Sequence, residues 1–179
     1  DDVPLVVPEV NPEDVDWNNG IIANPNCSTI QAMVALKPLY DAFGIKRIVY
    51  STYQAVSGAG VLGYNDLKDG VNGEAPKKFP FPIAFNVLPH IDVFMEDGYT
   101  KEEWKMIEES KKILHDHSLK IAATTVRVPV FHGHSESINV EFKKKCTREE
   151  AVDGLSKFSP ELVVMAENGT YPMPIYAEN

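Results

Sequence analysis

Apolar residues recur at helical spacing in the segment that follows Cys27. Because residues three and four positions apart share one face of a helix, this spacing predicts a long amphipathic helix. The residues that form the apolar stripe are Ile30, Met33, Val34, Leu36, Leu39, Tyr40 and Phe43. Gly44 is predicted to end this helix, and Pro38 is predicted to kink it.

Four segments have the composition or the alternation of β-strands. Residues 45–54 are apolar and β-branched, and they lead into a glycine-containing turn. Residues 121–130 and 135–144 alternate between apolar and polar side chains, which predicts two strands that pair with each other. Residues 161–166 are predicted to form a last strand.

Two capping boxes mark the starts of further helices. Thr100 precedes a helix predicted over residues 101–114, and Thr147 precedes one predicted to end near Phe158. A shorter helix is predicted over residues 61–69. Together these elements predict an α+β fold, a single domain over residues 1–179 in which helices cover a largely antiparallel mixed sheet.

Proline and glycine clusters indicate two irregular segments. Prolines among aromatic residues in residues 77–89 argue against a central strand and predict an extended segment that crosses a surface or an interface. Glycines cluster in residues 57–63 after a strand, but they lack the Gly-x-Gly-x-x-Gly spacing of a dinucleotide-binding loop. No nucleotide-binding loop is therefore predicted in this chain.

Composition and charge restrict the class of partner. The 179-residue chain has a formal net charge of −9 and a pI near 5.0. This charge argues against binding to nucleic acids or anionic membranes, since both favour basic surfaces. The chain has no run of about 18 apolar residues, so no membrane-spanning helix is predicted. Two cysteines are too few for a disulfide scaffold, and a thiolate nucleophile needs reducing surroundings, so a cytoplasmic location is expected. No metal site is predicted.

Cys27 lies where an extended segment, residues 20–23, turns into the first helix. Unpaired amides and the positive end of the helix dipole stabilise anions there, which favours a nucleophilic thiolate and an oxyanion received by those amides. A small buried apolar cysteine is the structural alternative, and placement alone leaves both open. The neighbouring Asn26 either donates to a phosphate or shapes the turn. Cys146 is predicted to be an incidental thiol.

Three other groups have both a structural and a functional interpretation. Arg127 lies in an apolar strand and needs an anionic partner, which is either a ligand or Glu141. Glu102 and Lys105 lie on one helix face, and their spacing alone favours a solvated ion pair. His134 is either a hydrogen-bonded structural residue or the partner that activates a thiol.

Five stretches, in order along the chain from Val3 to about Pro174, resemble aspartate-semialdehyde dehydrogenase. They are NPNCSTIQ (24–31), YSTYQAVSGAG (50–60), FPIAFNVLPHI (81–91), EEWK (102–105), and RVPV followed by GHSE (127–136). The resemblance implies the catalytic and dimerisation domain of a glyceraldehyde-3-phosphate-dehydrogenase-like enzyme. It also implies that the family's NADP-binding half and closing C-terminal segment are absent, so the chain is expected to be a portion of a longer enzyme.

The resemblance implies a reaction, the NADPH-dependent reductive dephosphorylation of L-4-aspartyl phosphate to L-aspartate 4-semialdehyde in lysine, threonine and methionine biosynthesis. Cys27 would form an acyl thioester with loss of phosphate, and His134 would donate a proton as the thiohemiacetal collapses. Gln54 would orient the acyl group, with a turn-stabilising amide as the alternative. NADPH would be bound mainly by the absent half, and the cofactor-binding residues of this chain are unknown.

The remaining matched positions imply contacts with ligands and partners. Glu102 would bind the substrate ammonium and Arg127 its α-carboxylate, while Asn26 and Lys105 would bind phosphate. The chain is expected to form a homodimer. Two alternatives stay open: an assembly module without catalysis of its own, and an enzyme like N-acetyl-glutamyl-phosphate reductase. The NPNCSTIQ motif favours the aspartyl enzyme.

Overall fold

Four α-helices and three β-strands form within residues 3–159, 161–167 and 169–176, which the computed structural model describes. The helices are α1 (Cys27–Phe43), α2 (Gly60–Gly70), α3 (Lys101–Ile113) and α4 (Arg148–Phe158). The strands are β1 (Ile45–Gln54), β2 (Lys120–Arg127) and β3 (Ser135–Phe142). The predicted α+β class is confirmed, and the sheet, predicted as largely antiparallel, is mixed and not purely antiparallel.

The helix boundaries follow local capping chemistry. Gly44, at φ 63°, follows the last residue of α1, a conformation that glycine adopts at low cost. Thr100 precedes α3 and exchanges hydrogen bonds with Glu103. Thr147 caps α4 through a complete capping box. These predicted boundaries are confirmed to within one residue or two.

The sheet has the strand order β2-β1-β3, so the predicted pairing of the second strand with the third is wrong. Residues 128–131 do not turn back as a hairpin, because their backbone bonds to the end of β1 and to the chain that follows it. Val128 N donates to the Gln54 oxygen (3.0 Å), and Val56 N donates to the Val130 oxygen (2.9 Å). β1 and β2 therefore end side by side, and β1 lies between its two neighbours.

Two other segments show how strand assignments depend on partners. Residues 161–166 do not form the predicted strand, because the chain turns there: the amides of Leu162 and Val163 both donate to the Ser159 oxygen. The proline-rich segment forms no named strand, as predicted. It meets β2 at one antiparallel bridge, in which Leu88 and Arg127 exchange hydrogen bonds of 2.9 and 2.8 Å.

The described residues divide into two compact units, which are named here after the candidate site residues they contain, Cys27 and His134. The cysteine unit comprises residues up to 49, 105–122 and 138–170, and in it α1 packs against α4. The histidine unit comprises residues 50–104, 123–137 and those from 171 onwards. Its core cluster consists of Val56, Leu67, Ile83, Ala84 and Leu88, with Phe79 packed against it. Among the described residues, no helix has the length and apolar character that crossing a membrane requires.

Candidate functional site

Cys27 is the first residue of α1, and its side chain is exposed. The extended chain before it is anchored by a parallel bridge between Leu5 and Ala23. Asn26 is the N-cap of α1: its side-chain oxygen accepts from the amides of Ser28 (3.0 Å) and Thr29 (3.3 Å). The predicted thiol at a helix start is confirmed, and the alternative of a buried cysteine is wrong. The amides of Ser28 and Thr29 are not unpaired as expected, because the Asn26 side chain caps them.

The turn that carries Cys27 is also held by α3. Glu109 Oε2 accepts a hydrogen bond of 2.8 Å from the Asn26 backbone amide. Lys105 lies one helical turn before Glu109 and is half-buried. Sequence reasoning singled out Lys105 and missed Glu109, because a glutamate in the middle of an amphipathic helix carries no signal that its partner is a distant amide.

In the histidine unit, Gln54 and Glu102 form a buried polar pair. Gln54 is 1% exposed and donates through Nε2 to Glu102 Oε1 at 3.0 Å. Thr52 donates its hydroxyl to the Gln54 side-chain oxygen at 2.9 Å, which fixes the orientation of the amide. Glu102 is 6% exposed, so its interpretation as half of a solvated surface ion pair is wrong.

The backbone of Ala55, directly after β1, holds two of the predicted functional side chains. Its amide donates to His134 Nδ1 at 3.0 Å, and its carbonyl accepts from Arg127 Nη1 at 2.6 Å. Because a backbone amide only donates, the lone pair of the neutral ring is on Nδ1 and its proton is on Nε2. One fully buried residue thus orients a histidine and an arginine together.

Burial lowers the pKa of His134 below its ordinary value of 6.5. The positive charge of Arg127 lowers this pKa further, while the Glu102 carboxylate opposes both effects. His134 is therefore neutral at pH 7 and presents an Nε2–H donor. A cavity of about 340 Å³ adjoins this ring and is also lined by Tyr53, Glu136 and residues 172–174.

Gly58 allows Arg127 and His134 to approach the turn after β1. A Cβ atom at this position would lie 3.2 Å from both Arg127 Nη1 and His134 Nε2. A side chain at this position would therefore be tight against both groups, which favours glycine here. The sequence signal was present in the SGAG run, but it did not indicate which residues come close.

The Phe79 ring also lies beside Arg127, whose guanidinium carbon is 5.9 Å from the ring centroid. The loop carrying Phe79 is held by Asp66, which is 6% exposed and accepts from the amides of residues 77, 78 and 79 at 2.7 to 2.8 Å. Burial alone would raise the pKa of Asp66, but these amides and Lys77 together lower it below its ordinary value.

Asp66→Asn is expected to lower the free energy of unfolding at pH 7 by about 2 kcal/mol, since charge-assisted hydrogen bonds each contribute about 1.5 to 3 kcal/mol and the amide oxygen retains part of them. The folded-state pKa is lowered, so this stability is present above the unfolded pKa of about 3.9 and is lost as pH falls below it. Denaturant unfolding at several pH values measures the effect, with Asp69→Asn in the same helix as control. An equal loss for both variants, or a loss independent of pH, would contradict this role.

The structural alternatives for the other candidate side chains are also visible. Glu141, the partner considered for Arg127, forms an ion pair with Lys46 at 3.2 Å and is 58% exposed. His132, the nearest alternative to His134, is exposed and its ring lies 5.6 Å from that of Tyr64. Desolvation, followed by the Glu150 carboxylate, raises the pKa of the Cys146 thiol, which lowers its thiolate fraction at neutral pH.

The seven predicted site residues are divided between the two units. Asn26, Cys27 and Lys105 belong to the cysteine unit. The histidine unit contains Gln54, Glu102, Arg127 and His134, and in it they form two groups, Gln54 with Glu102 and Arg127 with His134. In the described part of the chain, no three side chains of the metal-binding types are grouped to hold an ion.

Comparison with known proteins identifies the family. The sequence profile described as "Semialdehyde dehydrogenase, dimerisation domain" matches residues 36–179. The chain belongs to this family. Among relatives of this semialdehyde dehydrogenase domain, the aspartate-semialdehyde dehydrogenase of Aquifex aeolicus is 61% identical across 99% of this chain and 55% of its own length. The chain spans about half the length of the curated relatives it matches.

Solved structures agree with the family assignment. Aspartate semialdehyde dehydrogenase II from Vibrio cholerae, complexed with ASA, has a TM-score of 0.84 and 51% identity, covering 88% of this chain and 49% of that one. The enzyme from Candida albicans, with NADP, has a TM-score of 0.65 and 31% identity, covering 87% of this chain and 45% of that one. The α+β fold of this semialdehyde dehydrogenase domain is therefore the fold of solved aspartate-semialdehyde dehydrogenases.

Proposed function

We propose that this chain is the catalytic and dimerisation domain of an NADPH-dependent aspartate-semialdehyde dehydrogenase, which reduces L-4-aspartyl phosphate to L-aspartate 4-semialdehyde in the cytoplasm. The proposal rests on the pair of hydrogen bonds at the Ala55 backbone, which orient Arg127 and His134 together. A cation and a neutral imidazole lie there in one unit with the buried Glu102 carboxylate. The relatives that match this chain have the same named activity.

The charges of the histidine unit suit a substrate that is an α-amino acid. Arg127 would bind the α-carboxylate, and its planar fork permits two parallel hydrogen bonds that lysine does not offer. Glu102 would bind the ammonium group, and the Gln54 amide tied to it would orient the acyl group. The leaving phosphate would be bound by Lys105 and by the side-chain amide of Asn26 at the start of α1.

Cys27 would attack the acyl carbon as a thiolate, and expulsion of phosphate would leave a thioester on its sulfur. NADPH would supply hydride to this thioester, and we propose that it is bound mainly outside this chain, since residues 57–63 lack the spacing of a dinucleotide-binding loop. His134 presents Nε2–H and would donate a hydrogen bond to the oxygen that develops negative charge. Transfer of a proton from His134 would require the imidazolium form. In that form Nδ1 also carries a proton and no longer accepts a hydrogen bond from the Ala55 amide.

Substrate choice tests this assignment against the related reductase. The full-length protein is supplied with L-4-aspartyl phosphate or N-acetyl-L-glutamyl 5-phosphate, and NADPH consumption is followed. We expect reduction of the aspartyl substrate, because acetylation removes the ammonium charge that Glu102 would bind. Preference for the acetylated, one-carbon-longer substrate would overturn the proposal.

A second proposed role is homodimer formation, which is supported by the family's description as a dimerisation domain and by an exposed apolar surface. Phe85 is 89% exposed and lies at φ 59°, an uncommon conformation for a bulky residue, and Phe81 and Val87 beside it are also exposed. An apolar group of this kind is unfavourable in water unless a partner covers it. We therefore propose that this part of the proline-rich segment packs against a second copy.

Phe85→Ser is expected to shift the protein from dimer to monomer at low micromolar concentration, because a central aromatic contact often contributes about 2 kcal/mol or more to an interface. Size-exclusion chromatography with light scattering measures the change. Val61→Ser, at a 77% exposed position of α2, is the matched control and should leave the mass unchanged. A monomeric wild-type protein, or an unaltered dimer in Phe85→Ser, would refute this surface.

A further inference from the structure

Glu109 connects α3 to the turn that presents Cys27. Its carboxylate accepts from the Asn26 amide at 2.8 Å, and the Asn26 side chain accepts from the amides of Ser28 and Thr29. Two consecutive links therefore run from one helix to the first turn of another. Both links lie within the cysteine unit.

We propose that Glu109 is a positioning residue for the Cys27 nucleophile, an inference that rests on the proposed function. The Asn26 amide is one peptide group away from Cys27, so fixing that amide fixes the backbone from which the thiol projects. An N-cap stabilises its helix only while its own backbone is held in the capping conformation. An ionised carboxylate accepts a stronger hydrogen bond from an amide than a neutral acceptor does.

The charge of Glu109 has the opposite effect on the thiol from its hydrogen bond. A carboxylate near Cys27 disfavours a second anion there, so removal of its charge alone favours the thiolate. Loss of the hydrogen bond releases the Asn26 cap from the first turn of α1, whose dipole favours a thiolate at Cys27. Glu109→Gln keeps an acceptor oxygen and removes the charge, whereas Glu109→Ala removes both. The difference between these two variants therefore isolates the hydrogen bond.

The experiment measures the rate of Cys27 alkylation by iodoacetamide as a function of pH, in full-length protein carrying Cys146→Ala. Glu109→Ala is expected to react about three- to tenfold more slowly than Glu109→Gln at pH 7, with its pH profile displaced to higher pH. Glu108→Ala and Glu108→Gln serve as matched controls, since the Glu108 carboxylate pairs with Lys111, and these two are expected to react at equal rates. Equal rates for the two Glu109 variants, or a faster Glu109→Ala, would overturn the proposal.

A second variant keeps the inference testable if Glu109→Ala does not fold. Glu109→Asp retains the charge but withdraws the carboxylate by one methylene, and it is expected to react more slowly than the parent; an unchanged rate would contradict the inference. The proposed function is judged separately by NADPH consumption. If the two Glu109 variants differ in alkylation but the parent protein does not turn over aspartyl phosphate, the proposed function alone is refuted. If the parent protein turns over aspartyl phosphate but the two variants alkylate at equal rates, this inference alone is refuted.

Discussion

Cys27→Ser is expected to reduce the turnover of L-4-aspartyl phosphate in the full-length protein by about a thousandfold or more, because an alkoxide is far harder to form than a thiolate and is a poorer leaving group. Cys27 is exposed at the start of α1, where the positive end of the helix dipole favours a thiolate. Initial rates of NADPH oxidation measure the effect.

The matched control for this change is Cys146→Ser. Cys146 is half-buried and its sulfur lies 3.3 Å from the Thr147 oxygen, a local contact with no part in the proposed reaction. The control is expected to keep the rate of the parent protein. Comparable losses in both variants, or turnover preserved in Cys27→Ser, would show that Cys27 does not carry the reaction.

Arg127→Lys is expected to reduce kcat/KM by about a hundredfold, although it preserves the charge. The side chain is 5% exposed and already donates to the Ala55 carbonyl, so one ammonium would have to serve that carbonyl and a bidentate carboxylate together. Loss of a charged hydrogen bond costs about 1.5 to 3 kcal/mol, and the displaced carbonyl adds to that cost.

Steady-state kinetics with the aspartyl substrate measure this change, and most of it is expected in KM because the carboxylate is bound before and during reaction. Arg47→Lys is the control, since Arg47 is an exposed residue of β1. A loss of less than threefold in Arg127→Lys would contradict the proposed carboxylate contact. A similar loss in Arg47→Lys would mean that the assay reports a general effect of the substitution.

The helices and their ends were predictable because their causes are local. Gly44, Thr100 and Thr147 act within one turn of the residues they cap, so the sequence alone contains the necessary information. Strand pairing was not predictable in the same way. The alternation of residues 121–130 and 135–144 predicted that they pair, yet the backbone after β2 bonds to Gln54, Val56 and Ser57, and only the assembled sheet reveals that competition.

The identities of the site residues came from a resemblance, but the frame that holds them did not. Any residue has the backbone groups that Ala55 uses, so no side-chain pattern marks it as the partner of His134 and Arg127. The interpretation of Glu102 depended on burial, which helical spacing does not determine. Glu109 was missed because its partner is an amide 83 positions away.

The central claim is that Cys27 carries the acyl group, and one measurement tests it most directly. Full-length protein is incubated with L-aspartate 4-semialdehyde and NADP⁺ without phosphate, so that oxidation proceeds but the acyl group has no phosphate acceptor. After acid quenching and digestion, mass spectrometry is expected to locate a hydroxylamine-labile aspartyl thioester on the peptide that contains Cys27. An acyl group on Cys146, or none on Cys27 in a protein that turns over when phosphate is restored, would contradict the account.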